Sequence, residues 1–369
     1  MRSKLPDSVT ILSLVMRLLY RRFRRLVEVA FTRIEWNVGV TSVRDIDPRT
    51  SAEVKNVRWL PKERKKSYLA DPFFFCSNDK IGLLAETIER KDQRGVIVGY
   101  EVTRERIVSL GVAIADRNIH LSYPYLFRWK GEIYCLPEQG EARTITLYRA
   151  VEFPKRWERM STLFTGIGAA DATIFRHNSY WWLSYTEAGI ESNSRLMLWY
   201  ATEPTGPWSS HARNPIKIDP RCSRGAGAPF VYDGMLIRPA QDCSVHYGAK
   251  IVFNRIIVLT PIDFEEEVIG ELKPDPAGPY PRGLHTISQD GGVVVIDGWT
   301  RVFDPMGWYD ELRSRRWERR RNAGRVLKTN EDGDEPAWQS SDLSGLNDGT
   351  SLDGGSRARR SAPPFLSTR

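Results

Sequence analysis

Ala70-Asp71-Pro72-Phe73-Phe74-Phe75, then a turn at Asn78-Asp79 and a second apolar run over residues 81–86, is the stretch from which the fold can be read. Two such runs joined by Asn-Asp predict a β-hairpin. The pattern returns at intervals of roughly fifty residues. Tyr123-Pro124-Tyr125-Leu126-Phe127 turns at Lys130-Gly131 into residues 133–138, and residues 171–175 turn near His177-Asn178 into residues 180–186. Residues 227–231 turn at Asp233-Gly234 into 236–240, and residues 285–288 turn at Asp290-Gly291-Gly292 into 293–297. Five copies at that period predict an all-β chain folded as a five-bladed β-propeller. The intervening runs 95–101, 145–150, 195–201 and 251–259 supply outer strands, and Ile34-Glu35-Trp36-Asn37-Val38-Gly39-Val40 is placed to complete the last blade and close the ring.

In a propeller the start of an inner strand and the end of its hairpin partner lie at one rim. Reflection about each turn sets Asp71 opposite Glu86, Tyr123 opposite Glu138, Asp171 opposite Thr186 and His285 opposite Asp297, and brings Gln241 and Asp242 near Gly225 and Ala226. Acids and amides from several blades are therefore expected on one face.

The chain of 369 residues is 41% hydrophobic and 11% aromatic, enough for a large core in one domain. Its net charge of +8 is not spread evenly: residues 56–300 hold 30 Lys+Arg against 29 Asp+Glu, so the basicity belongs to the ends. With no helix-turn-helix, zinc-finger or RNP pattern, a nucleic-acid partner is not expected. Cys76, Cys135, Cys222 and Cys243 show no paired-cysteine zinc spacing and read as buried thiols, with a Cys222–Cys243 pairing left open. No HExxH, EF-hand, P-loop or GxSxG motif occurs, so neither a metal nor a cofactor is expected. Asp45-Ile46-Asp47 matches DxD, too short a match to carry weight.

The organisation expected is a basic amphipathic helix over 1–32, the propeller over 33–303, a basic helical segment over 304–328 and a disordered tail over 329–369. In the first segment Leu12, Val15, Met16, Leu19, Phe23, Leu26, Val27 and Ala30 recur at helical spacing among Arg17, Arg21, Arg22, Arg24 and Arg25. It is too charged to span a bilayer and lacks a cleavage site, which leaves two readings: contact with an anionic membrane surface through residues 11–31, or a helix docked on the domain. The expected location is the cytoplasm, at the inner face of the membrane.

Asp71 and Asp171 hold equivalent positions before apolar strands, where a carboxylate needs partners or a task. Glu138, at the end of the second hairpin, joins them as a third candidate for acid-base chemistry on a glycosidic bond. Tyr123, Arg238, Gln241, Asp242 and His285 are candidate substrate contacts: a stacking ring, a guanidinium inside an apolar strand, two hydroxyl-binding groups and a histidine at a repeat position held elsewhere by Asp.

Ala70-Asp71-Pro72-Phe73-Phe74, His120-Leu121-Ser122-Tyr123-Pro124-Tyr125, Ile133-Tyr134-Cys135-Leu136-Pro137-Glu138, Pro204-Thr205-Gly206-Pro207-Trp208, Arg238-Pro239-Ala240-Gln241-Asp242 and Gly283-Leu284-His285-Thr286 resemble the amino-terminal-domain family of glucosamine inositolphosphorylceramide transferases and its stand-alone bacterial relatives. The resemblance covers about residues 56–300 and extends, more distantly, to the five-bladed propellers of arabinanases, xylosidases and invertases. It implies acids on the early blades, a site on the axial face and a glycan or glycolipid partner. It implies no glycosyl transfer, because the transferase half of the plant proteins has no counterpart in this sequence. Two functions stay open: carboxylate-mediated glycosidic-bond chemistry, or a non-catalytic carbohydrate-binding module that accompanies a glycosyltransferase.

Overall fold

The computed structural model describes residues 8–61, 68–77, 80–89, 94–103, 105–189, 192–306, 308, 309 and 312. The first hairpin's turn at Asn78-Asp79, most of the basic segment 304–328 and the tail 329–369 lie outside the described residues. Five antiparallel sheets follow one another around an axis. The first blade comprises Ala70–Ser77, Lys80–Glu89, Arg94–Val102 and Ile107–Ile114; the second, Ser122–Trp129, Glu132–Glu138, Thr144–Glu152 and Arg156–Thr165. The third is built on Ala169–His177, Tyr180–Glu187 and Arg195–Ala201, with short strands Ser209–Ser210 and Lys217–Ile218 on its outer side. The fourth runs Phe230–Tyr232, Met235–Asp242, Lys250–Leu259 and Phe264–Lys273, to which Ser51–Glu53 adds a parallel edge.

The fifth blade combines the two ends of the propeller. Ile287–Asp290 and Val293–Phe303 are continued by Thr32–Ser42 and then Arg58–Trp59, with Trp36 opposite Trp299 and Val38 opposite Asp297. The chain ahead of the first repeat thus closes the ring by pairing with its last strand.

Each inner strand alternates its large side chains between its two neighbouring blades. Phe73 packs toward Tyr123 and Leu136 of the second blade, whereas Phe74 packs toward Val38 and Val295 of the fifth. Ile287, Val294 and Ile296 meet Ile237 and Phe253 between the fourth and fifth blades, and Phe175 and Trp182 meet Ile256 and Leu259 between the third and fourth. Trp181, Trp182, Trp199 and Tyr125 take part in this filling.

The tight turns form as their residues require. Lys130 and Gly131, Asp233 and Gly234, and Gly291 and Gly292 all have positive φ, the backbone that matches the twist of a two-residue hairpin. The register of the inner hairpins differs from simple reflection about the turn. In the first three blades the pairing steps from Ala70/Glu86 to Phe73/Leu84, from Ser122/Glu138 to Tyr125/Leu136 and from Ala170/Thr186 to Thr173/Ser184. A bulge in each inner strand therefore shifts the partner of Glu86, Glu138 and Thr186 by one residue from the reflected position.

The first segment is helical: α1 spans Ser8–Phe31 and leads directly into Thr32–Ser42. Among the described residues no helix is long and apolar enough to cross a membrane. All four cysteines are free thiols, so Cys222 and Cys243 are not paired.

Candidate functional site

The bulges decide what faces the axis. Asp71, Tyr123 and Asp171 occupy the same place in three blades, and all three take φ between 42° and 53°, a left-handed backbone that non-glycine residues adopt at a cost of about 1 kcal/mol or more. At Asp71 and Asp171 this turns the carboxylate into the axial cluster.

Asp71 is buried. Its Oδ1 accepts from Thr286 Oγ1 at 2.6 Å and lies 3.6 Å from His285 Nε2, and its Oδ2 accepts from the Tyr123 N–H at 3.3 Å. Burial pushes its carboxyl up to about 8; the His285 charge pulls the other way, and the neighbouring Glu86, Asp171 and Asp297 add to the rise. His285 stands between two acids, with Nδ1 2.5 Å from Asp297 Oδ2 in a close ionic contact and Trp36 lying 4.2 Å from its ring. Burial works against its charge, but Asp297 and Asp71 outweigh it and hold the imidazole up to about 9. Asp297 also accepts the backbone N–H groups of His285, Thr286 and Asp71 at 2.9, 3.1 and 3.1 Å. The ligand atoms of Asp71, His285 and Asp297 come within 4.8 Å of one another, but Asp297 is committed to protein N–H donors, which suits a hydrogen-bonded lock better than a cation.

Asp171 is held as firmly. Arg224 donates Nε to Oδ2 at 2.6 Å and Nη2 to Oδ1 at 3.4 Å, and Gln241 Nε2 donates to Oδ2 at 2.8 Å. Arg224 is itself fixed by Asn193 Oδ1 at 3.0 Å and by the face of Tyr247, 5.0 Å away. Glu138 Oε2 accepts the Asp171 N–H at 3.1 Å and lies 3.8 Å from Arg224 Nη2. Burial and the Asp171 charge push Glu138 up to about 7, against the pull of Arg224. It is the least enclosed of the three candidate acids, its side chain 20% exposed. At the same rim Glu86 Oε1 lies 3.1 Å from His120 Nε2. Burial disfavours charge on His120, yet Glu86 raises its pKa overall, while the Gly95 N–H bonded to Nδ1 at 2.9 Å favours the neutral tautomer.

Asp71, Asp171, Glu138, Gln241 and His285 are thus brought together. The other candidates are not. Tyr123 is fully buried: its ring packs 4.8 Å from Phe73 and its hydroxyl meets Thr173 Oγ1 at 3.1 Å, so only its backbone N–H serves the site. Arg238 makes a two-pronged pair with Glu266 at 2.8 and 2.6 Å and donates to the Cys222 carbonyl at 2.6 Å. Asp242 turns to Ser244 and lies 3.5 Å from Lys250. The reason is the period of the strand: Gln241 faces the axis, so Arg238 and Asp242, an odd number of residues away, face the other side.

Sequence reasoning missed Arg224, Thr286 and His120 as site residues. Arg224 lies in Ser223-Arg224-Gly225-Ala226-Gly227, and the signal was the crowding of glycines where the chain nears the axis: a Cβ on Gly225 would meet the Asp171 carbonyl at 3.2 Å.

The family profile described as "Glucosamine inositolphosphorylceramide transferase 1, N-terminal" matches residues 56–275. Glucosamine inositolphosphorylceramide transferase 1 of Oryza sativa subsp. japonica is 35% identical over 248 residues, 64% of this chain and 33% of that protein. The protein of the same name from Arabidopsis thaliana is 35% identical over 207 residues, 54% of this chain and 27% of that one. The chain therefore spans about a third of the length of the curated relatives it matches. Among solved structures, Zg3597, a family 117 glycoside hydrolase of Zobellia galactanivorans, superposes with a TM-score of 0.47 at 14% identity, over 75% of this chain and 94% of that one. An α-L-arabinanase of Cellvibrio cellulosa complexed with arabinohexaose gives 0.43 at 14% identity, over 55% and 78%.

Proposed function

The chain belongs to the glucosamine inositolphosphorylceramide transferase 1 N-terminal family, and from that premise we propose that its axial face binds the sugar-bearing head of a glycolipid without cutting it. One observation carries this reading: both oxygens of Asp171 are taken by Arg224, with Gln241 as a third donor. A glycosidase needs two carboxyl groups that reach the scissile bond, one ionised and one protonated. Here Asp171 is committed to protein donors and Asp71 is enclosed by Thr286, Tyr123 and His285, which leaves Glu138 as the one of the three with access. A single carboxyl beside an anchored guanidinium, Asn193 and the half-exposed Tyr247 suits recognition of hydroxyl groups and a sugar face. The name of the curated relatives supplies the ligand class, an amino sugar on an inositol phosphate.

A second reading has its own support. Glu138, pushed up to about 7, has the protonation of a general acid, and hydrolysis would follow if Asp171 exchanged Arg224 for a water.

Calorimetric titration of the full chain with glucosaminyl inositol phosphate tests the proposal. Tyr247→Ala is expected to weaken binding about tenfold, about 1.4 kcal/mol, with the melting temperature little changed. Absence of binding by the wild-type chain, or equal binding by the variant, would contradict it.

A further inference from the structure

We infer that helix Ser8–Phe31 is an in-plane anchor for an anionic lipid surface, and that it attaches to the propeller at the rim that carries the axial site. Met16, Leu19, Tyr20, Phe23, Leu26 and Val27 are between 39% and 65% exposed, which a helix docked on its own domain would not leave. At roughly 100° per residue these six side chains fall within an arc of roughly 120°. Arg17 and Arg24 flank that arc on one side and Arg22 on the other, with Arg21 behind, and all four are exposed. A continuous apolar stripe edged by guanidinium groups matches the boundary between acyl chains and anionic headgroups. Charge complementarity therefore favours such a membrane over a second copy of this chain, whose identical arginines would repel.

The carboxyl end of the helix is tied to the propeller. Glu28 Oε1 takes Arg282 Nη2 at 2.7 Å and lies 3.8 Å from Arg301 Nε, and the Phe31 carbonyl accepts the Asp304 N–H at 2.8 Å. Thr32 lies opposite Phe303, six residues beyond Asp297 on a strand that runs toward the site rim. At about 3.3 Å per residue this junction stands about 20 Å from Asp297 along the strand. The lipid contact depends on the helix alone; presentation of the axial face to lipid headgroups rests on the carbohydrate reading proposed above.

Co-sedimentation of the full chain with vesicles tests the anchor, with phosphatidylcholine alone compared with phosphatidylcholine mixed with phosphatidylglycerol. Binding at least tenfold tighter to the anionic vesicles is expected, weakened on the order of fivefold for each of Arg22→Gln and Arg24→Gln. Phe23→Glu with Leu26→Glu should abolish it while circular dichroism and titration with soluble glucosaminyl inositol phosphate stay unchanged. The anchor is overturned if the chain binds neither vesicle, if it binds both equally, or if the double Glu variant merely dissolves a dimer in vesicle-free solution. A wild-type chain that binds the headgroup but no vesicle sinks only the anchor, and one that binds anionic vesicles but no headgroup sinks only the carbohydrate site.

Discussion

At the residue scale, the cluster is a set of charges that hold one another. Arg224 stands between Asp171 and Glu138, and His285 between Asp297 and Asp71. Asp71, Glu138 and His285 all bind protons more tightly than in the unfolded chain, at about 8, 7 and 9. The native state therefore keeps protons that the unfolded chain has shed, and raising the pH from about 4 to 9 strips them and lowers stability. Urea unfolding of the wild-type chain is expected to lose at least about 2 kcal/mol between pH 5 and 9, and His285→Gln should flatten that slope. A stability that rises with pH across this window would contradict the geometry. Asp71 and Asp171 were legible because a charge ahead of an apolar strand is out of place. Arg238 was noticed for the same reason, but its partner, Glu266, sits on a different strand with nothing in the sequence to join them.

At the scale of the elements, the hairpins were legible because their turns carry Gly, Asn or Asp where φ must be positive, and the closing strand because the last repeat lacked one. The bulges were not: Asp71, Tyr123 and Asp171 are ordinary residues whose left-handed backbone follows from the ring, so reflection across the turns was off by one. The same packing makes Gly227 indispensable. Its φ is 142°, and a Cβ there would strike the carbonyl of Ile287, whose N–H bonds to the Ala226 carbonyl at 2.7 Å to join the fourth and fifth blades. Gly227→Ala should cost about 3 kcal/mol or more in urea unfolding, whereas Gly131→Ala, with open space around its Cβ, should cost about 1. Equal effects would show that the seam tolerates strain.

For the whole molecule, ring closure puts the axial face and the root of α1 at one rim, a relation that neither the repeat period nor the helical spacing carries. Bonds between blades run around the axis: Asp71 N–H to Asp297, Tyr123 N–H to Asp71, Tyr123 hydroxyl with Thr173, Gln241 to Asp171, and Ile287 N–H to Ala226. The acids that look catalytic in the sequence are thus members of the ring's own lock, and such a face is proposed to hold a glycan and leave it whole. Proton NMR of glucosaminyl inositol phosphate incubated with stoichiometric protein distinguishes binding from cleavage. Ligand signals are expected to broaden on binding, to sharpen with Tyr247→Ala, and to keep their anomeric intensity throughout. New reducing-end anomeric signals that disappear with Glu138→Gln would contradict it and make the protein a hydrolase.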